Sequence, residues 1–348
     1  MPAPTAAIIS FRLGGTDGVA IEAAKWHWAL EQMGFRVSTV AGDGPVDHVI
    51  AGLAMDASEP PERSHLEDAL SGADLVVVEN MCSLPLNPRA GEAVADVLRS
   101  RPAVMHHHDL PWQRPQTALM PPPPDDPYWM HVTINELSRR ELSARGIEAS
   151  VLRNCFDTDP PPGDRDATRE RIGVDPEELL VLQPTRAIPR KNVPGGIALA
   201  ASVGATYWLL GQAEDGFGPE LDRILSAAPV RVIRGSPEGP AVEMNDAYAA
   251  CDVVAMPSFW EGFGNPTVES ATHRRPLAFE PYPVALELLQ FGFEWFSLDQ
   301  WRFLAEWLET GDRGLLDRNS EVARRHFALT DLPDRIGALF ARAGWIRW

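Results

Sequence analysis

Short, wholly apolar runs alternate along the chain with stretches whose apolar positions recur at helical spacing. The runs fit strands buried on both faces, and the spaced stretches fit amphipathic helices. Thr5–Phe11 reads as a strand leading into the loop LGGTDGV. The helical period then holds from Val19 to Met33, Gly34 ends it, and Phe35–Val40 forms a second strand. Asp43–Glu67 is polar and turn-rich, and no element is assigned there. Leu75–Val78, Ala103–Met105 and Trp129–Ile134 are further strands; a helix over Asn135–Arg145, closed by Gly146, precedes another at Ala149–Leu152. After the acidic, proline-rich FDTDPPPGDRD the alternation restarts: strand Leu179–Gln183, helix Val193–Ser202, strand Thr206–Leu210 and helix Gly218–Ala227. Strand Val230–Ile233, helix Ala241–Ala250 and strand Cys251–Met256 follow, and Asp331–Arg347 reads as a last helix. This double alternation predicts an α/β protein of two doubly wound, Rossmann-like domains, with the proline-rich segment as linker.

Composition bears on partners more than on fold. A chain of 348 residues, 45% apolar, can bury a core in each of two domains. A net charge of −18 argues against nucleic-acid backbones and anionic membranes as main partners. No run approaches the roughly 18 apolar residues of a spanning helix, and MPAPTAAIIS lacks the basic and long apolar parts of a signal peptide. A soluble cytoplasmic protein without an integral membrane segment is expected, its oligomeric state left open. Cys82, Cys155 and Cys251 lack metal-ligand spacing and an even disulfide set, so they are expected as buried thiols.

Candidate chemistry concentrates in PSFWEGFGNPTVESATHRR, Pro257–Arg275. It follows an apolar strand and reads as a loop running into a helix. Gly262 and Gly264 permit positive φ or close approach to a ligand, Asn265 is expected to cap the helix, and Pro266 suits its first turn. A helix start presents free N–H groups to an anion. Glu261 before the loop and Glu269 within the helix add two carboxylates. Carboxylates beside an anion site suit a ligand with both hydroxyls and phosphate, as a nucleotide sugar has. Upstream, the strand ending at Gln183 runs into PTRAIPRKNVPGG, which places Arg186, Arg190 and Lys191 at a strand's carboxyl end. Fixed cations there would stabilise the charge that grows on a departing diphosphate. No acidic pair of the kind that carries a metal is evident.

The strand Ala103–Met105 delivers His106, His107, His108 and Asp109. Three histidines in a row could suggest a metal, but neighbours on an extended chain point to opposite faces, which spoils convergent ligation; metal, surface and sugar-binding roles stay open. Asp109 could orient an imidazole. The long loop after it, with Trp112 and Arg114, suits a binding segment; Trp112 is read as a packing residue that could also meet a sugar face, and Arg114 could meet an anionic acceptor group.

RLGGTDGV, HHHD, TRAIPRKN and EGFGNPTVE, in this order, resemble the retaining GT-B glycosyltransferases of family four. RLGGTDGV, ENMCSLPLNP and HHHDLPWQRP look like a bacterial subgroup that includes mannosylglucosylglycerate-synthase-like enzymes. The resemblance departs from the family at Asn265, where leucine is usual. It implies a GT-B fold whose two domains face an interdomain cleft: residues 1–157 for the acceptor, 158–330 for the nucleotide sugar, and 331–348 as a helix crossing back. It implies retaining, metal-independent hexosyl transfer to a small-molecule or glycoside acceptor with no cofactor, GDP-mannose or UDP-glucose being the guessed donors. Glu261 would contact sugar hydroxyls, Glu269 the ribose, and Arg186 with Lys191 the diphosphate. Gly262, Phe263, Gly264 and Asn265 count with the donor loop, and Arg234 with the nucleobase. Gly15 would face the phosphates, and Thr16 and Asp17 the acceptor. His107 is favoured for the reacting face, with His106 and His108 as rivals beside Asp109 and Arg114. A sugar-nucleotide epimerase or hydrolase, or a non-catalytic sugar-nucleotide-binding protein, is the alternative.

Overall fold

The computed structural model describes residues 2–15, 17–214, 216–236 and 240–345. It divides into two compact units, Met1–Cys155 with Leu329–Trp348, and Phe156–Ala328. In the first unit, strands β1 (Thr5–Ser10), β2 (Arg36–Ala41), β3 (His48–Val49), β4 (Leu75–Glu79), β5 (Ala103–His107), β6 (Trp129–Thr133) and β7 (Ala149–Val151) form one parallel sheet, ordered β3-β2-β1-β4-β5-β6-β7. Helices α1 (Gly18–Gln32), α2 (Arg63–Leu70), α3 (Pro88–Leu98) and α4 (Glu136–Ser143) connect them.

The apolar runs are explained by burial from both sides. One core cluster joins Ile9, Val76, Val78 and Met105 to α2 and α3, and another joins Ile8, Val77 and Val104 to α1. The turn-rich segment after β2 does hold β3 and the start of α2. β3 is two residues long and exposed, so it leaves no apolar run to read.

The second unit repeats the plan. Its helices are α5 (Arg165–Ile172), α6 (Val193–Ser202), α7 (Gly218–Ser226), α8 (Met244–Ala250), α9 (Pro266–Thr272), α10 (Pro283–Leu289), α11 (Trp301–Thr310) and α12 (Gly314–Phe327). Strands β8 (Leu180–Gln183), β9 (Thr206–Leu209), β10 (Val232–Arg234), β11 (Val253–Met256), β12 (Leu277–Phe279) and β13 (Phe296–Ser297) lie parallel in the order β10-β9-β8-β11-β12-β13. The last helix among the described residues is α13 (Leu332–Arg342), which packs Leu332, Ile336, Leu339 and Phe340 into the first unit's core beside Trp26 and Leu30 of α1. Ile346 and Arg347 of the expected last helix lie outside the described residues.

In both sheets the strand order reverses once, between β1 and β4 and between β8 and β11. Open parallel sheets bind ligands at that switch point, beyond the carboxyl ends of the strands. The three cysteines are buried and unpaired; burial pushes the thiols of Cys82 and Cys251 up to about 12 and that of Cys155 to about 11.

Candidate active site

In the second unit the switch point brings together two segments far apart in sequence. β8 runs beside β11, with Val181 opposite Val253. The turn after β8 therefore meets the loop after β11, and Arg190 and Lys191 both reach Glu261. Lys191 Nζ donates to Oε1 at 2.5 Å and Arg190 Nη1 to Oε2 at 2.6 Å. Glu261 is buried and Lys191 nearly so. Burial pushes the Glu261 carboxyl up, but the charges of Lys191 and Arg190 outweigh it and hold the group at about 2. Burial draws the Lys191 ammonium below its ordinary value, with Arg190 and Arg186 adding repulsion against the pull of Glu261. Arg190 also donates to the Trp260 carbonyl at 2.8 Å.

Other members of this constellation depart from the sequence reading. Arg186, expected beside Lys191, turns to the surface and pairs with Glu214 at 2.6 Å, so Arg190 is the second cation on the carboxylate. Asn265 occupies the N-cap position of α9 but makes no side-chain cap bond, because its own backbone is helical at φ −43° and ψ −42°. The Gly264 carbonyl instead accepts from the Thr267 N–H at 2.9 Å, and from the Thr267 hydroxyl at 2.8 Å. α9 is only seven residues long, so its dipole is a small contributor. Phe263 is buried against Phe156 and Phe327, which makes its side chain a core anchor. Gly264 takes φ +91°, and a Cβ there would lie 1.9 Å from the Tyr282 hydroxyl.

Glu269, on the first turn of α9, accepts from the Tyr248 hydroxyl at 2.7 Å. Arg234 ends β10 in an exposed ion pair with Asp222; Pro237–Gly239 beyond it lie outside the described residues. Tyr248 was not legible as a site residue because it sits in an ordinary helical pattern.

In the first unit, β1 and β4 flank the switch point. Gly15 is exposed in the loop after β1, and Thr16 lies outside the described residues. Asp17 caps α1, accepting from Val19 N and Ala20 N, and pairs with Arg12 at 3.0 Å. That accounts for its carboxylate within the loop itself.

The histidines divide by the pleat. His107 is sealed on one face: Nδ1 meets Ser83 Oγ at 2.5 Å and Nε2 meets His131 Nδ1 at 2.8 Å, while His131 Nε2 reaches Asp125 at 3.1 Å. The Asp125 carboxylate can only accept, which assigns the protons along the whole chain: His131 donates to Asp125, His107 to His131, and Ser83 to His107. Burial lowers the ring of His107 far below its ordinary value, and neighbouring His131 adds to this. His107, favoured from the sequence for the reacting face, thus has both nitrogens engaged inside the fold and is 0% exposed.

On the other face, His106 Nδ1 and His108 Nε2 both lie 2.8 Å from Oε2 of Glu79. Glu79 stands opposite His106 across β4 and β5. The alternation that separates adjacent histidines brings residues two apart together, and β4 adds the carboxylate. That partner is missed from the sequence because it closes an apolar run, LVVVE, as a single acidic letter. Burial pushes the Glu79 carboxyl up, but the charges and hydrogen bonds of His106 and His108 overcome it and hold it at about 2. Burial opposes protonation of His108, but its bond to Glu79 raises the ring overall. Asp109, expected to orient a histidine, pairs with Arg114 at 2.7 Å, and that occupies Arg114 as well. Asn80, left-handed at φ +58°, accepts from the backbone N–H groups of both His108 and Asp109.

Two parallel-sheet Rossmann units of this topology are the GT-B fold. The chain's relatives narrow the resemblance. Mannosylglucosylglycerate synthase of Thermotoga maritima is 26% identical, over 94% of this chain and 97% of that one. The protein of the same name from Petrotoga mobilis is also 26% identical, over 84% and 86%. Among solved structures, Anabaena Alr3699/HepE in complex with UDP-glucose matches with a TM-score of 0.75 at 19% identity, over 97% of this chain and 99% of that one. No protein-family model matches the sequence.

Proposed function

We propose that this protein transfers a hexose from a nucleoside-diphosphate sugar to a small hydroxyl-bearing acceptor, with retention of anomeric configuration and without a metal ion. The observation that carries the reading is the meeting of Arg190 and Lys191 with buried Glu261 at the second sheet's switch point. Two fixed cations in a partly dry site suit the oxygens of a diphosphate, whose charge grows as the glycosidic bond breaks. Glu261 would then accept from sugar hydroxyls and Glu269 from the ribose. Arg186 would join the phosphates by leaving its exposed pair with Glu214. Retention and metal independence follow the family resemblance, in which the departing phosphate takes the acceptor's proton on the front face. The name shared by the two relatives, mannosylglucosylglycerate synthase, and the neighbour solved with UDP-glucose support a hexose donor.

A thermal-shift screen with UDP, GDP, UDP-glucose and GDP-mannose tests the reading. A binder at a hundred times its Kd should stabilise by about 2.7 kcal/mol. No shift with any of the four, or shifts that survive Lys191→Ala unchanged, would overturn the assignment of this site. The anomeric configuration of the product, read by NMR with and without EDTA, tests retention and metal independence. Conversion of the donor in the absence of any acceptor would favour an epimerase or hydrolase instead.

A further inference from the structure

We infer that Glu79 is a positioning residue: it holds the His108 ring in one orientation, protonated at Nε2, with Nδ1 left for an oxygen of the substrate. The inference rests on the transferase reading for its substrate, and on the first unit alone for its geometry. Glu79 is completely buried, and its Oε1 has no partner among the described residues. Both hydrogen bonds of the carboxylate therefore fall on Oε2, one from His106 Nδ1 and one from His108 Nε2. The next residue, Asn80, fixes the backbone of the same histidine through its N–H at 3.0 Å. Two consecutive residues at the end of β4 thus fix His108 by ring and by main chain. Of the three histidines, His108 keeps the most exposure, 6%, and its Nδ1 has no hydrogen-bond partner among the described residues. His107 is spent on Ser83 and His131.

The same three groups place one ligand atom each within 4.8 Å of one another, which raises a metal as the rival account. The distances favour hydrogen bonds. Atoms about 2.0–2.1 Å from a tetrahedral ion stand roughly 3.3 Å apart, whereas both N···O contacts here are 2.8 Å, the length of an N–H donating to a carboxylate.

Ring-nitrogen NMR of the free wild-type protein tests the geometry without any substrate. His108 should show a protonated Nε2, and Glu79→Gln, which offers a neutral oxygen and an N–H in place of the carboxylate, should weaken that preference. A bare Nε2 in the wild type would overturn the inference. So would a stoichiometric metal whose removal by chelator shifts the His108 signals. The kinetic arm uses whichever of UDP-glucose and GDP-mannose the thermal-shift screen selects. E79Q should lower kcat on the order of 10- to 100-fold with donor KM little changed. In a His108→Asn background the same change should cost less than about twofold, because the residue acts through that ring. Full kcat in E79Q, or equal losses with and without His108, would sink it. A wild type that transfers nothing while His108 keeps its Nε2 proton would instead refute the transferase reading and leave the ring's orientation standing.

Discussion

Lys191 combines two roles that substitution can separate. It neutralises a buried carboxylate, and on the proposed reading it meets the donor's diphosphate. Removing one partner of a buried ion pair costs about 3–5 kcal/mol when the other charge is left alone. Here Arg190 stays on Glu261, so Lys191→Ala should cost about 2 kcal/mol, a Tm fall of roughly 4–8 °C for a unit of this size. Its effect on turnover should be larger, on the order of 10²–10³. Adding Glu261→Gln should recover part of the Tm and none of the turnover. Calorimetry beside a transfer assay checks this, and full turnover in the single variant would remove Lys191 from the phosphates. The basic segment and the glutamate signature were legible because charged letters stand out beside apolar strands. Which arginine reaches Glu261 was not, since Arg186 and Arg190 share one loop and only the fold of the turn aims them.

At the scale of elements, the sharpest constraint is the turn before α9. Gly264 sits at φ +91°, where side chains are strained, and the space for a Cβ is filled by the Tyr282 hydroxyl. Gly264→Ala should destabilise by about 2–3 kcal/mol. Tyr282→Phe in that background should relieve only part, because the backbone strain remains and Tyr282 Cζ lies 3.2 Å from the same point. Urea unfolding of the single and double variants measures this; a neutral Gly264→Ala would show that the turn tolerates a side chain. A second test lies on α13, whose Ile336 is fully buried in the first unit's core. Ile336→Ala should cost about 2–5 kcal/mol and speed amide exchange in α1, which shares that cluster; unchanged exchange in α1 would contradict the packing. Strands such as β4 and β8 were readable because burial from both sides makes them uniformly apolar. α11 and α12 escaped the sequence reading because they are amphipathic segments dense in charge, with no strong cap: neither has a side-chain bond at its N-cap.

For the whole molecule, pH collects these buried groups into one observable. Glu79 and Glu261 have folded values near 2 against an ordinary 4.5, so between those limits the unfolded chain binds more protons. Each therefore stabilises the fold in full above about pH 4.5, by about 3 kcal/mol as an order of magnitude, and loses this as pH falls toward 2. His107 and His131, held below the ordinary 6.5 by burial, act with the same sign in the window just under 6.5. His108, raised by Glu79, acts the other way: its contribution is present at low pH and fades as pH rises through its folded value. Stability should thus decline modestly from pH 7 to 5 and steeply below 4.5. The long-range field runs against this trend, because a chain at −18 near neutrality approaches zero charge near pH 4.9 and so sheds self-repulsion on the way down. A stability maximum at the isoelectric point in urea unfolding would mean that net charge dominates. A continuous fall through it, shallower in Glu79→Gln below pH 4.5, would trace the loss to the buried carboxylates.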